Sequence, residues 1–278
     1  RVQGPDLALA TDKSSPRVPI LRHPDVRRML MLQKCHSEGM RALLTYAAWT
    51  KDQADLHPGD ESWRSRFELL LPLVKGYSSE KAFELLALSL QVLGGSGYTE
   101  DYPIEQYLRD AKIDSIYEGT TGIQALDLFF RKIARDRGTA IAALSADIHD
   151  FCKSGPEGDR LAGERELLMR MLEECQGQLG VLVDHLLAFQ SDPDRIYLVG
   201  LHANAQLESL AELVIAWQLL RHAEVALADL GYEADPFLQG KVASARFFVR
   251  HALPLAATRR TAAFEDDGAI MQLADDSW

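Results

Sequence analysis

Apolar residues in this chain recur at intervals of three and four, and no convincing run alternates apolar with polar. Spacing of three to four is the face period of an α-helix, whereas a half-buried strand requires period two. That single pattern sets aside sheet, sandwich and barrel as the main architecture and predicts an all-α chain. With 278 residues, 47% of them hydrophobic, the chain has ample material for a sizeable core in one or two domains.

Helix signals divide the sequence. The opening "GPDLALATDKSSPRVPI" is rich in proline and small polar residues and reads as a loop. A first helix is expected from "RHPDVRRML" to about Asp55, with Pro24 suited to the first turn and Asp25 complementing the dipole. After "HPGDES", a second long helix covers roughly residues 65–93, with Pro72 or Gly76 as candidate breaks. Gly94 and Gly95 stop it, because glycine takes the left-handed conformation cheaply. "YPIEQYLRDA" is a short helix. The next begins at Thr120 or Thr121, where Thr121 and Gln124 have capping-box spacing. It is expected to present Ile123, Leu126, Phe130 and Ile133 on one face. Beyond Gly138 the character changes: "KSGPEGD" reads as a linker. Amphipathic helices follow at about 160–190, 195–230 and 235–260, separated by "SDPDR" and "GYEADP". The expected division is residues 1–138 and residues 139–278, with no internal repeat.

The formal net charge of -11 argues against nucleic acid and an anionic membrane as partners, since both favour a basic face. No apolar run reaches the roughly 18 residues of a membrane span, and no signal-peptide pattern is present. Cys35, Cys152 and Cys175 have no zinc or redox spacing and read as buried thiols, so a cytoplasmic setting is expected. The start "RVQGPDLALA" lacks methionine and reads like the interior of a longer protein. His185, His202, His222 and His251 lack a two-histidine spacing backed by a carboxylate, so no metal is expected. The four tryptophans are scattered and read as packing or interface residues, and "TRRT" is too short for a nucleic-acid patch.

The segment "RDAKIDSIYEGTTGIQ", residues 109–124, holds the acid of most interest. Glu118 lies between the apolar Ile116 and Tyr117 and a glycine-threonine turn that opens a helix. One reading is a surface carboxylate complementing a helix dipole. The other is a general base whose pKa is raised by apolar flanks, able to remove a weakly acidic C–H proton. "LGGSGY" divides similarly. Its glycines either end a helix or let a ligand approach the backbone, and its spacing is not a dinucleotide fingerprint. Arg109 and Asp110 are either a solvated charge run or a brace for the turn before Glu118.

The longer stretch "QVLGGSGYTEDYPIEQYLRDAKIDSIYEGTTGIQ" closely resembles the C-terminal signature of flavin-dependent acyl-CoA dehydrogenases. Gly-Gly-x-Gly-Tyr and Arg-Asp-x-x-Ile…Tyr-Glu-Gly-Thr stand in that family's order and separation. The continuation "IQALDLFFRKIARDRG" and the helical remainder resemble its long bacterial subclass of broad chain-length specificity. The resemblance implies a C-terminal four-helix-bundle domain, lacking its first helix, followed by an additional helical domain. The family's N-terminal helical and β domains would then lie on another polypeptide segment.

The resemblance also implies a reaction: FAD-dependent α,β-dehydrogenation of an acyl-CoA thioester to the trans-2-enoyl-CoA. Glu118 matches the base that removes the α-proton while the β-hydride passes to flavin N5. Its own N–H would join a ribityl hydroxyl at the thioester oxygen, with Tyr117 and Gly119 lining the pocket. Arg1 and Gln3 match a segment reaching the FAD of a neighbouring subunit, as do Gln91, Val92, Leu93, Gly94 and Gly95. Thr120, Thr121 and Gly122 match a turn contacting FAD, where N–H groups at a helix start suit a pyrophosphate. The implied partners are acyl-CoA, a segment bearing the missing domains, a second protomer in a two-fold homo- or hetero-oligomer, and an electron-accepting flavoprotein. Residues 139–278 are expected to be structural. The competing readings are a non-catalytic structural subunit and a DNA-associated relative on the same scaffold.

Overall fold

A computed structural model describes residues 1–229 and 232–278. Its main elements are nine helices among these residues: α1 Pro24–Leu56, α2 Glu61–Pro72, α3 Ser78–Leu93, α4 Ile104–Lys112, α5 Thr121–Asp127, α6 Thr139–Lys153, α7 Ala162–Ala188, α8 Arg195–Ala228 and α9 Pro236–Glu265. The all-α reading holds, and α1 begins at Pro24 as the proline and Asp25 indicate.

Several local expectations need correction. The opening loop contains a small ribbon in which β1, Val2–Pro5, pairs antiparallel with β2, Arg17–Pro19. α2 starts at Glu61 rather than near residue 65, because the Asp60 side chain accepts from the Ser62 N–H at 3.0 Å and caps it. The expected break near Pro72 is a π-turn, Leu73–Tyr77, that carries α2 into α3. A second π-turn, Leu128–Ala134, follows α5. A widened turn rotates the side chains beyond it. Leu128, Phe129 and Ile133 are buried in that turn and Ala125 ahead of it, while Ile123, also ahead of it, is 57% exposed. α6 was not anticipated; it starts directly after Gly138, which sits at φ +76°. Cys152 is only half-buried, unlike Cys35 and Cys175. The expected end of the helix at residue 230, and Gly231 of "GYEADP", lie outside the described residues.

α8 is the largest correction. It was expected to be amphipathic, yet the run Ser209–Leu220 is buried throughout. A helix apolar on every face belongs inside a protein, and α1, α5, α7 and α9 all pack on it. One apolar core therefore runs through both halves of the chain, from Leu43, Leu69 and Tyr77 to Leu168, Val214 and Phe248. Gly39 permits the close approach of α1 to α8, since a Cβ there would overlap the Ile215 side chain.

His36 of α1 is buried in this core. Its Nδ1 is 2.9 Å from the Tyr77 hydroxyl, and its ring stands edge-on to Phe248 at 4.9 Å between centroids. Burial, reinforced by Lys81 and His251, pushes its pKa from 6.5 down to about 3. The unfolded chain accepts this proton near pH 6.5 and the folded chain only near pH 3. The contribution is thus complete above the unfolded value and is lost as pH falls toward the folded one. Urea denaturation should show about 2–3 kcal/mol less stability near pH 4.5 than at neutral pH from this group. His36→Gln should flatten that slope. An identical slope in the variant would assign the acid sensitivity elsewhere.

Candidate active site

The turn bearing Glu118 is built from both of its flanks. α4 runs into a tight turn, Ile113–Ser115, where the N–H groups of Ile116 and Tyr117 both donate to the Ile113 carbonyl at 3.0 and 3.1 Å. The chain then reverses through Glu118 at φ +53° and Gly119 at φ +92°. Gly119 meets this requirement by lacking a Cβ. Glu118 does not, and a non-glycine residue in the left-handed region costs about 1–2 kcal/mol. The surroundings must hold it there.

Lys75 supplies much of that hold. From the first π-turn its Nζ donates to the carbonyls of Asp114 at 2.7 Å and Gly119 at 3.0 Å, clasping the chain on each side of Glu118. The same Nζ lies 5.7 Å from the Tyr117 ring centroid. The Gln124 amide donates to the Glu118 carbonyl at 3.3 Å. The Thr121 hydroxyl donates to Glu80 Oε1 at 2.8 Å, and Lys112 lies 3.6 Å from the other oxygen of that carboxylate. The turn is therefore tied to the α2–α3 junction and to the start of α5.

One expected contact is absent, and one of the two readings of Arg109 falls away. Thr121 and Gln124 do not form a capping box, since each spends its side chain on a different partner, and Thr120 makes no side-chain cap. Arg109 does not brace the turn; it pairs with Glu105 one helical turn earlier at 3.1 Å. Lys75 and Glu80 were missed. The available signal was a lone lysine inside the apolar stretch "LLPLVKGY".

Two groups of Glu118 remain without a partner among the described residues: its exposed carboxylate and its own N–H. Around them Ile116, Tyr117 and Ile123 are each about half exposed, forming an apolar rim. The apolar enclosure expected of a buried base is present here only as that rim. Gly119 is half-buried within the clasp, and Gly122 opens α5 with no atom near the place a Cβ would occupy.

The other sequence-derived residues gather at the far end of α3. Gly94 ends the helix at φ +61° and ψ -145°, a backbone that L side chains avoid but outside the left-handed helical region expected for it. The Arg1 guanidinium stands against it, 2.9 Å from where a Cβ would lie. The Gln3 carbonyl is 2.6 Å from His23 Nε2, anchoring the ribbon to the start of α1. Gln91 and Gly95 are exposed, whereas Val92 and Leu93 are half-buried. At a rise of 1.5 Å per residue, Gly94 lies about 21 Å along α3 from Glu80, the residue joined to Thr121. The chain thus presents two separate groups, one around Glu118 and one around Arg1 and Gly94.

Comparison with known proteins accords with both the fold and the motifs. Residues 7–131 match the family model of the acyl-CoA dehydrogenase C-terminal domain, and residues 144–274 match that described as acetyl-CoA dehydrogenase C-terminal like. The chain is 49% identical over 281 residues to the broad-specificity linear acyl-CoA dehydrogenase FadE5 of Mycobacterium tuberculosis, covering 98% of this chain and 46% of that protein. It is 37% identical over 244 residues to 3-methylmercaptopropionyl-CoA dehydrogenase of Ruegeria pomeroyi, covering 85% and 40% respectively. In fold it resembles an acyl-CoA dehydrogenase from Bacillus anthracis solved with FAD, with TM-score 0.69 over 95% of this chain and 46% of that one, at 16% identity. The chain spans less than half the length of these curated relatives. It belongs to the acyl-CoA dehydrogenase family, of which it carries the C-terminal helical part.

Proposed function

We propose that this chain is the base-bearing C-terminal part of an FAD-dependent acyl-CoA dehydrogenase that converts an acyl-CoA thioester to its trans-2-enoyl-CoA. The observation that carries this reading is the Glu118 turn. A strained, doubly clasped backbone displays a carboxylate and an N–H, both without partners, beside an apolar rim. Strain maintained by the surrounding structure is characteristic of functional positions.

In this reading Glu118 takes the α-proton. Its N–H donates to the thioester oxygen, where negative charge develops as that proton leaves. Two roles on one residue suit a rigid turn, because proton abstraction from carbon depends on close positioning. Lys75 keeps that geometry without touching the reacting atoms. Tyr117 and Gly119 flank the acyl chain.

The residues present fit a flavin dinucleotide in chemical type. Thr121 and Gly122 offer N–H groups at a helix start, with open space beside Gly122. Thr120 belongs to the same turn. Arg1, Gln3 and the backbone of Gln91–Gly95 would hold the FAD of a second protomer, in keeping with their distance from Glu118. Bound FAD supplies the acceptor for the β-hydride at N5.

Residues 1–138 form the catalytic portion of this arrangement and residues 139–278 the added helical portion. The half-exposed rim of Ile116 and Tyr117 would be covered by a segment bearing the N-terminal helical and β domains, within a two-fold oligomer that passes electrons to another flavoprotein. No helix among the described residues is long and apolar enough to cross a membrane, and a cytoplasmic enzyme is proposed. The test is the visible spectrum of the assembled protein. Flavin absorbance should bleach when an acyl-CoA is added anaerobically. A flavin spectrum unchanged by every acyl chain length would favour a structural subunit instead.

A further inference from the structure

Away from the Glu118 turn, α1, α8 and the start of α9 line an open cavity of about 690 Å³. That is the size of a small-molecule site, and none of its lining residues belongs to the proposed dehydrogenase centre.

Three independent features converge on it. The first is aromatic. Trp63, Trp49, Tyr46 and Trp217 form a continuous ladder, with successive ring centroids 5.3, 6.0 and 5.5 Å apart. Tyr46 and Trp49 line the cavity, and Trp49 is 45% exposed. Three of the four tryptophans, dispersed in sequence, thus meet at one place.

The second is charge. Arg41 and Arg221 both line the cavity, and neither has a carboxylate partner among the described residues. Lys241 pairs with Glu38 at 3.6 Å, an acid also engaged by Lys34, and lies 5.3 Å from the Phe237 ring centroid. Three cations thus line this cavity against one lining carboxylate, Glu38, in a chain of net charge -11. Burial and the neighbouring Lys241 also hold the His222 imidazole below its ordinary pKa.

The third is an orphaned donor. Gln218 is only 6% exposed and lines the same cavity; its Oε1 accepts from Arg221 at 3.3 Å, while its Nε2 is buried with no hydrogen-bond partner. A buried amide group without a partner carries a desolvation cost of about 1–3 kcal/mol, which a bound acceptor would relieve.

We propose that this cavity binds an organic anion bearing a flat aromatic ring. The ring stacks on the exposed Trp49, which Tyr46 backs from inside, and the anionic group is taken by Arg41, Arg221 and Lys241. Gln218 donates its free N–H to the same ligand. Stacking and charge-assisted donors together select against plain inorganic anions and against uncharged rings. A nucleoside monophosphate and an aryl carboxylate share this chemistry, and the test separates them.

The flavin-loaded assembled protein is titrated with AMP, salicylate, adenosine and inorganic phosphate, followed by tryptophan fluorescence and calorimetry. At least one ring-bearing anion should bind saturably at one site per chain, with adenosine and phosphate at least about tenfold weaker. Arg41→Ala with Arg221→Ala should weaken that binding by about tenfold or more while leaving flavin content and turnover intact. Both arginines are exposed, so the variant retains its fold. Trp49→Ala should weaken binding and reduce the fluorescence response. Failure of both ring anions to bind saturably would overturn the proposal. So would an unchanged affinity in the double arginine variant, because the ligand would then sit elsewhere, including on a nucleotide site of the dehydrogenase centre.

Discussion

Glu118→Gln should leave FAD bound and slow its reduction by acyl-CoA by at least about two orders of magnitude. Glutamine keeps the length, shape and hydrogen-bonding reach of the side chain but cannot accept a proton from carbon. It also carries the same backbone cost at φ +53°, so the Lys75 clasp and the thermal midpoint should be unaffected. The main-chain N–H is still present in the variant, so thioester binding should survive. The loss is therefore expected in the rate of flavin bleaching under single-turnover conditions, with little change in substrate affinity. Near-normal bleaching in a folded, flavin-loaded variant would remove Glu118 from the role of base.

The helical fold class is legible in the sequence for a physical reason. Helical period is a local property, so α1, α3 and α4 could be placed from residue spacing and end signals alone. The ribbon Val2–Pro5 escaped because four residues containing glycine and proline carry no alternation. The π-turns escaped because they are set by what the helix packs against. The run "SLAELVIAWQLL" carries enough apolar residues for burial of α8 on every side, although its spacing reads as one face of an amphipathic helix.

At the site, the signature motif marked Glu118, and it gave no sign of what holds it. Lys75 reaches a turn about forty residues away in sequence, and Thr121 reaches back to Glu80. Neither pairing has a local pattern; each exists only once α3 and α4 lie side by side. The tryptophan ladder is another such case. Trp49, Trp63 and Trp217 look unrelated until α1, α2 and α8 pack together.

The second large effect is expected where α8 meets α9. Arg259 donates to Glu208 and to Glu212 at 2.6 Å each, and Glu212 is 1% exposed. The Tyr77 hydroxyl donates to the same Glu212 at 3.4 Å. Burial raises the Glu208 pKa, with Arg259 opposing it. Arg259→Met therefore leaves the buried Glu212 without its cation, beside the partly exposed Glu208, and should cost about 3–5 kcal/mol. Glu208 already lies above its ordinary 4.5 with the cation present, and without it burial and repulsion from Glu212 lift that carboxylate further. A raised folded pKa gives stability that is present below the unfolded value and is lost as pH rises. The variant's deficit should consequently be largest at neutral pH and shrink in mild acid. Removing the acid as well, with Glu212→Leu in the Arg259→Met background, should recover most of the loss, since replacement of a whole buried ion pair by apolar side chains is close to neutral. Urea unfolding followed by tryptophan fluorescence measures all three proteins. A loss below about 1 kcal/mol for Arg259→Met alone would place this pair among the exposed ones that contribute little. Tyr77 and Lys75 belong to the same five-residue turn. A full loss would therefore put the anchor of the Glu118 clasp on a charge cluster contributed by the added helices.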